Sequence, residues 1–162
     1  NLSSMQLRDP RLLQDLHRVL EETGLPPSSL QLDLREGTLW DPRFSADLLQ
    51  KMKDSGLRLA LENFSTEMSA LHTLERFPLD VVKPAQELVR LVPDQKRKAT
   101  IMSAIVAVAH SVNVAVCADG VEAADQFAAA KDQGCDLAQG YFLSMPLAVD
   151  EMTRLIERER QH

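Results

Sequence analysis

The sequence predicts a parallel α/β fold, and three observations carry that prediction. Short apolar runs alternate with longer amphipathic segments along the chain, glycine or proline punctuates most of the junctions, and polar residues of unusual kinds follow five successive apolar runs. Strands separated by helices of this length imply βαβ units, because a parallel neighbour can be reached only by a crossover.

Each element has its own reason. Leu12, Leu13, Leu16, Val19 and Leu20 fall at helical spacing, so a helix is expected over 10–23, entered after Asp9-Pro10 and stopped by Gly24. Leu30 to Leu34 reads as a strand with Gln31 and Asp33 on the opposite side. Asp41-Pro42 is a helix start, with the acid as N-cap and proline in the first turn, and Gly56 ends that helix. Leu57 to Leu61 is the next strand, followed by a helix near 67–76, a strand from Asp80 to Lys83 and a helix near 97–111. Val112 to Ala118 is rich in valine and is expected to be extended. A helix over 122–133 closed by Gly134, a short strand over 137–142 and a helix over 148–159, with Met152, Leu155 and Ile156 on one face, complete the pattern.

Parallel α/β folds bind ligands at the carboxyl ends of their strands. Those positions carry Asp33 and Glu36, Glu62 and Asn63, Lys83, Asp119 and Glu122, and Gln139. Any one of them is accounted for as a helix cap or loop residue. Five successive strand ends furnished with acids, amides and a lysine point to a site.

Composition limits what that site does. With 162 residues and 44% hydrophobic content the chain supports one sizeable core. The 18 Lys plus Arg against 24 Asp plus Glu give a formal net charge of −6. With no long basic run, a nucleic-acid duplex is excluded as the expected partner, and an anionic ligand needs a locally focused site. Cys117 and Cys135 lie in apolar, strand-like contexts and are expected as reduced, buried thiols of a cytoplasmic protein. No apolar run is long enough to span a bilayer, so no membrane contact is expected of this segment. His17, His72, His110 and His162 never stand at metal-ligand spacing with another His or Cys.

Two motifs go further. Ala118-Asp119-Gly120-Val121-Glu122 and Gln139-Gly140-Tyr141-Phe142-Leu143-Ser144-Met145-Pro146, behind an opening Asn1-Leu2-Ser3, resemble the EAL domain, the bacterial family that binds and hydrolyses cyclic di-GMP. The resemblance implies a (β/α)8-type, TIM-like barrel, of which this chain covers roughly the last five or six βα units, since a whole barrel takes about 250 residues. The family's Glu-Ala-Leu segment precedes the Asn-Leu-Ser motif, so 1–162 is expected to be an EAL-like domain incomplete at its N-terminus. A segment of this kind expressed alone would expose an apolar strand edge and aggregate or oligomerise.

In active members two divalent metals, Mg or Mn, activate a water against a phosphodiester. Carried over by position, the resemblance makes Asn1 an amide metal ligand and Lys83 and Asp119 the catalytic pair. Asp33, Glu62 and Asn63 stand at metal positions, each altered: Asp33 is shortened from Glu, Glu62 is lengthened from Asp, and Asn63 has lost its charge. The extra methylene of Glu62 moves its carboxylate by about 1.5 Å, against a tolerance of roughly 0.2 Å at a metal site. Ala85 replaces another acid, Arg35 replaces a Thr, and both glycines of the Asp-Asp-Phe-Gly-Thr-Gly loop are absent from Glu62–Glu67. Glu36, Glu122, Gln126, Gln139, Gly140 and Pro146 match the family, and Asn1, Glu36, Glu122, Gln139, Gly140, Ser144, Met145 and Pro146 are the residues suited to holding the nucleotide. Arg35 either offsets phosphate charge or pairs with Glu36 or Asp33 at the surface.

The expectation is therefore a degenerate EAL domain that binds cyclic di-GMP, with no metal bound, and relays its level to a protein partner. Family context suggests a PilZ-type adaptor as that partner, upstream GGDEF, PAS or receiver domains, and control of motility or biofilm. Two alternatives stand beside it: a weakly active phosphodiesterase yielding linear pGpG, and a protein-interaction scaffold independent of nucleotide.

Overall fold

The computed structural model describes residues 1–39, 46–65 and 68–159. Five strands form one parallel sheet in sequence order: β1 (Gln31–Arg35), β2 (Arg58–Phe64), β3 (Val81–Pro84), β4 (Ala115–Asp119) and β5 (Leu137–Gln139). The longer connections are helical: α2 (Leu12–Thr23), α4 (Ala46–Asp54), α5 (Met68–Arg76), α7 (Lys96–Ser111) and α8 (Ala124–Asp132), with α9 (Val149–Glu159) last. The expected alternation is present, and the expected helix start at Asp41-Pro42 lies outside the described residues.

Burial follows the two-residue period of the strands. Leu34, Leu59, Leu61, Val82 and Val116 are fully buried and meet Leu49 of α4 and Met102 of α7 on the helix side. The other side carries small residues, Ala60, Val81 and Cys117, packed with Ala115. One step beyond that small layer toward the strand ends stand Glu62, Lys83 and Asp119, so the sheet's periodicity places the polar residues on its inner face.

At the opposite ends of the strands two aspartates repeat one device. The Asp80 N–H donates to Leu59 O at 2.9 Å while Leu59 N–H donates to Asp80 Oδ2 at 2.7 Å, and Lys53 of α4 bonds the same carboxylate. Likewise the Asp136 N–H donates to Val116 O at 2.9 Å, Val116 N–H donates to Asp136 Oδ2 at 2.7 Å, and His110 Nε2 of α7 stands 2.8 Å from that oxygen. Partial burial raises the Asp136 carboxyl, and the Val116 N–H and His110 outweigh that, holding it below its ordinary value. Each clasp ties together a strand, the start of the next strand and the helix that precedes the first of the two.

Several expected boundaries move. The run Val112–Ala118 is not one strand: α7 continues to Ser111, the Val112 and Val114 N–H groups both donate to Ala109 O, and Asn113 turns the chain at φ 60°. Asparagine tolerates that left-handed conformation, and buried Val114 seals the helix end, so its apolar character serves the core before β4 begins. The strand expected over 137–142 stops at Gln139, because Leu143 and Ser144 N–H groups return to Gly140 O and close a turn. Helix α8 starts at Ala124, two residues after the expected start, and α2 starts at Leu12 and closes on Gly24 at φ 65°. Strand β2 runs three residues past Leu61, with a register irregularity between Leu61 and Phe64 where Asn63 sits at φ 55°. Three short helices were not expected: α1 (Ser4–Leu7), built on a Ser3–Gln6 capping box, α3 (Glu36–Leu39) and α6 (Gln86–Leu91). Cys117 is buried in β4, whereas Cys135 is half-buried in the turn before β5; both are free thiols. Met152 and Ile156 of α9 remain 42% and 47% exposed, so its apolar face is largely uncovered. Among the described residues no helix is long and apolar enough to cross a membrane.

Candidate functional site

A cleft of about 370 Å³ opens at the carboxyl ends of the strands. It is lined by Asn1, Asp33, Glu62, Lys83, Asp119, Glu122, Gln139 and Gly140, all expected from the sequence, together with Gln86, Gly120 and Tyr141, which were not. Among the described residues, four carboxylates thus line one small space with one lysine.

Lys83 organises the floor. It is 3% exposed at the end of β3, and its Nζ donates to Asp33 Oδ2 of β1 at 2.6 Å and to Gln139 Oε1 of β5 at 3.1 Å. One ammonium therefore bridges non-adjacent strands of the sheet. Burial alone would lower its pKa, and the hydrogen bond and charge of Asp33, helped by the charges of Asp119 and Cys117, reverse that and raise it. Cys117, on the neighbouring strand β4, is pushed up to about 11, chiefly by burial, with Lys83 opposing.

The far wall is set by β4 and the turn that follows it. Gln86, at the start of α6, donates from Nε2 to Asp119 Oδ2 at 2.9 Å, and its side chain packs across Gly120, which has φ 79°. The Glu122 N–H donates to Gln126 Oε1 at 2.8 Å, which fixes the backbone and leaves the Glu122 carboxylate exposed. Gly140 closes the turn after β5 against Val121: a Cβ there would stand 2.2 Å from Val121 O, at φ 151°. Val121 N–H donates to Gln139 O, and Phe142 N–H to Val121 O, both at 3.0 Å. Only glycine allows that approach.

On the β1 side, the Leu2 N–H donates to Asp33 O at 2.8 Å and so places Asn1 at the rim. Arg35 faces neither Glu36 nor Asp33: its Nε lies 3.7 Å from Glu62 Oε2, its cross-strand neighbour in the β1–β2 register, and its side chain is 77% exposed. Glu36 opens α3 outside the cleft lining, with a buried Oε1 that has no hydrogen-bond donor among the described residues. Asn63 is exposed and does not line the cleft, and neither do Ser144, Met145 and Pro146, of which Met145 is 58% exposed.

A pair of divalent ions asks for several carboxylates turned to common points. Here Asp33 accepts from Lys83 at Oδ2 and from Gln31 at Oδ1, Asp119 accepts from Gln86 at Oδ2, Glu62 faces Arg35, and position 85 offers no donor. Among the described residues no three His, Cys, Asp or Glu side chains stand close enough to hold a metal ion. As placed, these donors do not fit a two-metal centre. The arrangement is chemically a polar cleft with one internal cation, free acceptors at Glu122 and donors at the amides.

Comparison with known proteins agrees with this architecture. The sequence profile described as EAL domain matches residues 1–146. An uncharacterized signaling protein of Caulobacter vibrioides is 36% identical over 154 residues, covering 94% of this chain and 19% of that protein. The cyclic di-GMP phosphodiesterase NbdA of Pseudomonas aeruginosa is 32% identical over 158 residues, 95% of this chain and 20% of that protein. This chain therefore spans about a fifth of the length of these relatives. Among solved structures, the PaMucR phosphodiesterase in its c-di-GMP complex superposes with a TM-score of 0.81 at 28% identity, over 94% of this chain and 62% of that one.

Proposed function

The chain belongs to the EAL domain family, and from that premise we propose that its cleft binds cyclic di-GMP without efficient hydrolysis and that its occupancy is relayed to a protein partner. What supports binding is that a relative is named a cyclic di-GMP phosphodiesterase and a structural neighbour carries the nucleotide. What supports the lack of hydrolysis is the Lys83 network: a carboxylate and an amide that line the cleft, Asp33 and Gln139, are bonded to an internal ammonium at 2.6 and 3.1 Å.

The residues divide the work by their chemistry. Glu122, exposed at the cleft, accepts from guanine N–H groups, and Gln139 meets the base edge. Asn1 and Arg35 lie toward the β1 side, where a guanidinium offsets phosphate charge, since the four carboxylates repel phosphate elsewhere. Exposed Met145 and Pro146, with half-buried Ser144, form a shelf on which a base can stack, and the buried Oε1 of Glu36, without a donor among the described residues, marks a further point for a ligand or loop group. In this reading 1–162 is an EAL-like domain of a cytoplasmic protein, Lys83 and Asp119 are relics of a catalytic pair, and a PilZ-type adaptor is a suitable partner.

A second reading has one specific observation in its favour. Asp33, Glu62, Asp119 and Glu122 line the same cleft, an acidic field that attracts divalent cations and suits a slow metal-dependent phosphodiesterase. The scaffold reading gains from Gly140, whose presence is demanded by its contact with Val121 whether or not nucleotide binds. Substituting Glu122 and Gln139 together separates them: nucleotide affinity in calorimetric titration is lost if the cleft is a receptor, and partner binding is untouched if it is a scaffold.

A further inference from the structure

A glutamine side chain presents a donor on one side and an acceptor on the other, and only its partners tell which way it points. At Gln139 the partner leaves no choice. An ammonium carries three donors and no acceptor, so the Gln139 atom 3.1 Å from Lys83 Nζ is the carbonyl Oε1. Lys83 is held from moving away, being 3% exposed with a second donor on Asp33 Oδ2 at 2.6 Å. Gln139 Nε2, attached to the same carbon, is left with its protons for the cleft that the residue lines. The opposite holds across the cleft, where Gln86 gives its Nε2 to Asp119 at 2.9 Å and keeps Oε1 as an acceptor.

We propose that Lys83 is a positioning residue that fixes Gln139 as a hydrogen-bond donor toward the bound base and thereby selects guanine over adenine; this rests on the nucleotide reading above. Guanine offers two adjacent acceptors, O6 and N7, on the edge where adenine sets an N6 amino donor beside N7. A fixed amide donor complements the first and meets the second donor to donor, leaving a polar group unpaired. Guanine's remaining N1–H and N2 amino donors match acceptors of the same cleft, the Glu122 carboxylate and Gln86 Oε1. Lys83 acts on the base only through Gln139.

The test titrates cyclic di-GMP and cyclic di-AMP, in EDTA, into the wild-type protein, Gln139→Glu, and the charge-neutral pair Asp33→Asn with Lys83→Met. Gln139→Glu still accepts from Lys83 but shows the base acceptors alone. The wild type is expected to favour the guanine nucleotide by about tenfold or more, and Gln139→Glu to lose about tenfold or more of that affinity with an unchanged or higher melting temperature. The pair variant, which keeps the site free of an uncompensated buried charge, releases the amide to turn and brings the two nucleotides toward equal affinity. A folded Gln139→Glu protein with wild-type affinity, or a pair variant with wild-type selectivity, overturns the proposal. Orientation is read without nucleotide as well, by a scalar coupling across the hydrogen bond from isotope-labelled Lys83 Nζ to Gln139 Cδ. Absence of that coupling overturns the positioning role whatever binds. A wild type that shows the coupling yet binds neither nucleotide keeps the fixed amide and sinks the nucleotide reading, with base selection along with it.

Discussion

Replacing Gly140 by alanine drives a methyl group into the peptide of Val121, at 2.2 Å from its O, 2.4 Å from its N and 2.7 Å from its C. All three distances lie far inside van der Waals contact, and all three atoms are backbone, so no rotamer change relieves them. The peptide must shift, and it carries two hydrogen bonds of 3.0 Å, Val121 N–H to Gln139 O and Phe142 N–H to Val121 O. Losing both costs about 1–3 kcal/mol, and the strained φ of 151° adds about 1–3 kcal/mol for a residue with a Cβ. The expected loss is about 4 kcal/mol, or a melting temperature lower by about 8–16 °C for a chain of this size. Gly24→Ala is the matched control, since φ is 65° there and nothing lies within 4 Å of the new Cβ; about 1–2 kcal/mol is expected. Urea unfolding followed by far-UV circular dichroism measures both. A Gly140→Ala protein within about 0.5 kcal/mol of the wild type, or no less stable than Gly24→Ala, would contradict the close approach of Gly140 to Val121.

Two further expectations follow from the buried groups. Cys117 and Cys135 are each pushed up from 9.0 to about 11, chiefly by burial, so the folded chain keeps both thiols protonated where the unfolded chain ionises. Their contribution to stability is fully present below pH 9 and is lost as pH rises toward 11; the urea midpoint should fall across that window, and a flat profile contradicts the burial of the thiols. Lys83→Met alone leaves Asp33, whose side chain is 15% exposed, without its cation and is expected to cost about 3 kcal/mol in urea unfolding, with Asp33→Asn plus Lys83→Met recovering part of it; a single variant as stable as the wild type means the pair is solvated.

Much of this arrangement could be read in advance because strand periodicity does the placing. Glu62, Lys83 and Asp119 each sit two residues beyond a small inward residue, Ala60, Val81 and Cys117, so once the strands were recognised their side chains had one face to share. Gly24 and Gly134 marked helix ends for the plain reason that they turn at φ 65° and 85°. The misreadings have physical causes too. Val112 and Val114 have the composition of a strand, yet one closes α7 and the other plugs the core beneath it, and apolar character alone does not separate those tasks. Helices α1, α3 and α6 are too short to show a period; α1 rests on the Ser3–Gln6 capping box, whereas α6 has no side-chain cap. Arg35 was matched with neighbours along the chain, while the sheet register set it beside Glu62 on the next strand. Gln86 is not legible in the sequence because its role lies in a hydrogen bond to Asp119, 33 positions away, which only the folded cleft supplies.

In the proposed function the cleft holds cyclic di-GMP by protein groups, with Lys83 as its internal cation, and leaves the nucleotide whole. Calorimetric titration of cyclic di-GMP into the protein in EDTA, repeated with magnesium or manganese and followed by chromatography of the recovered ligand, addresses each part of it. The predicted result is saturable heat in EDTA and intact cyclic nucleotide recovered from every sample. Linear pGpG on adding either metal, or no heat in EDTA, would contradict it.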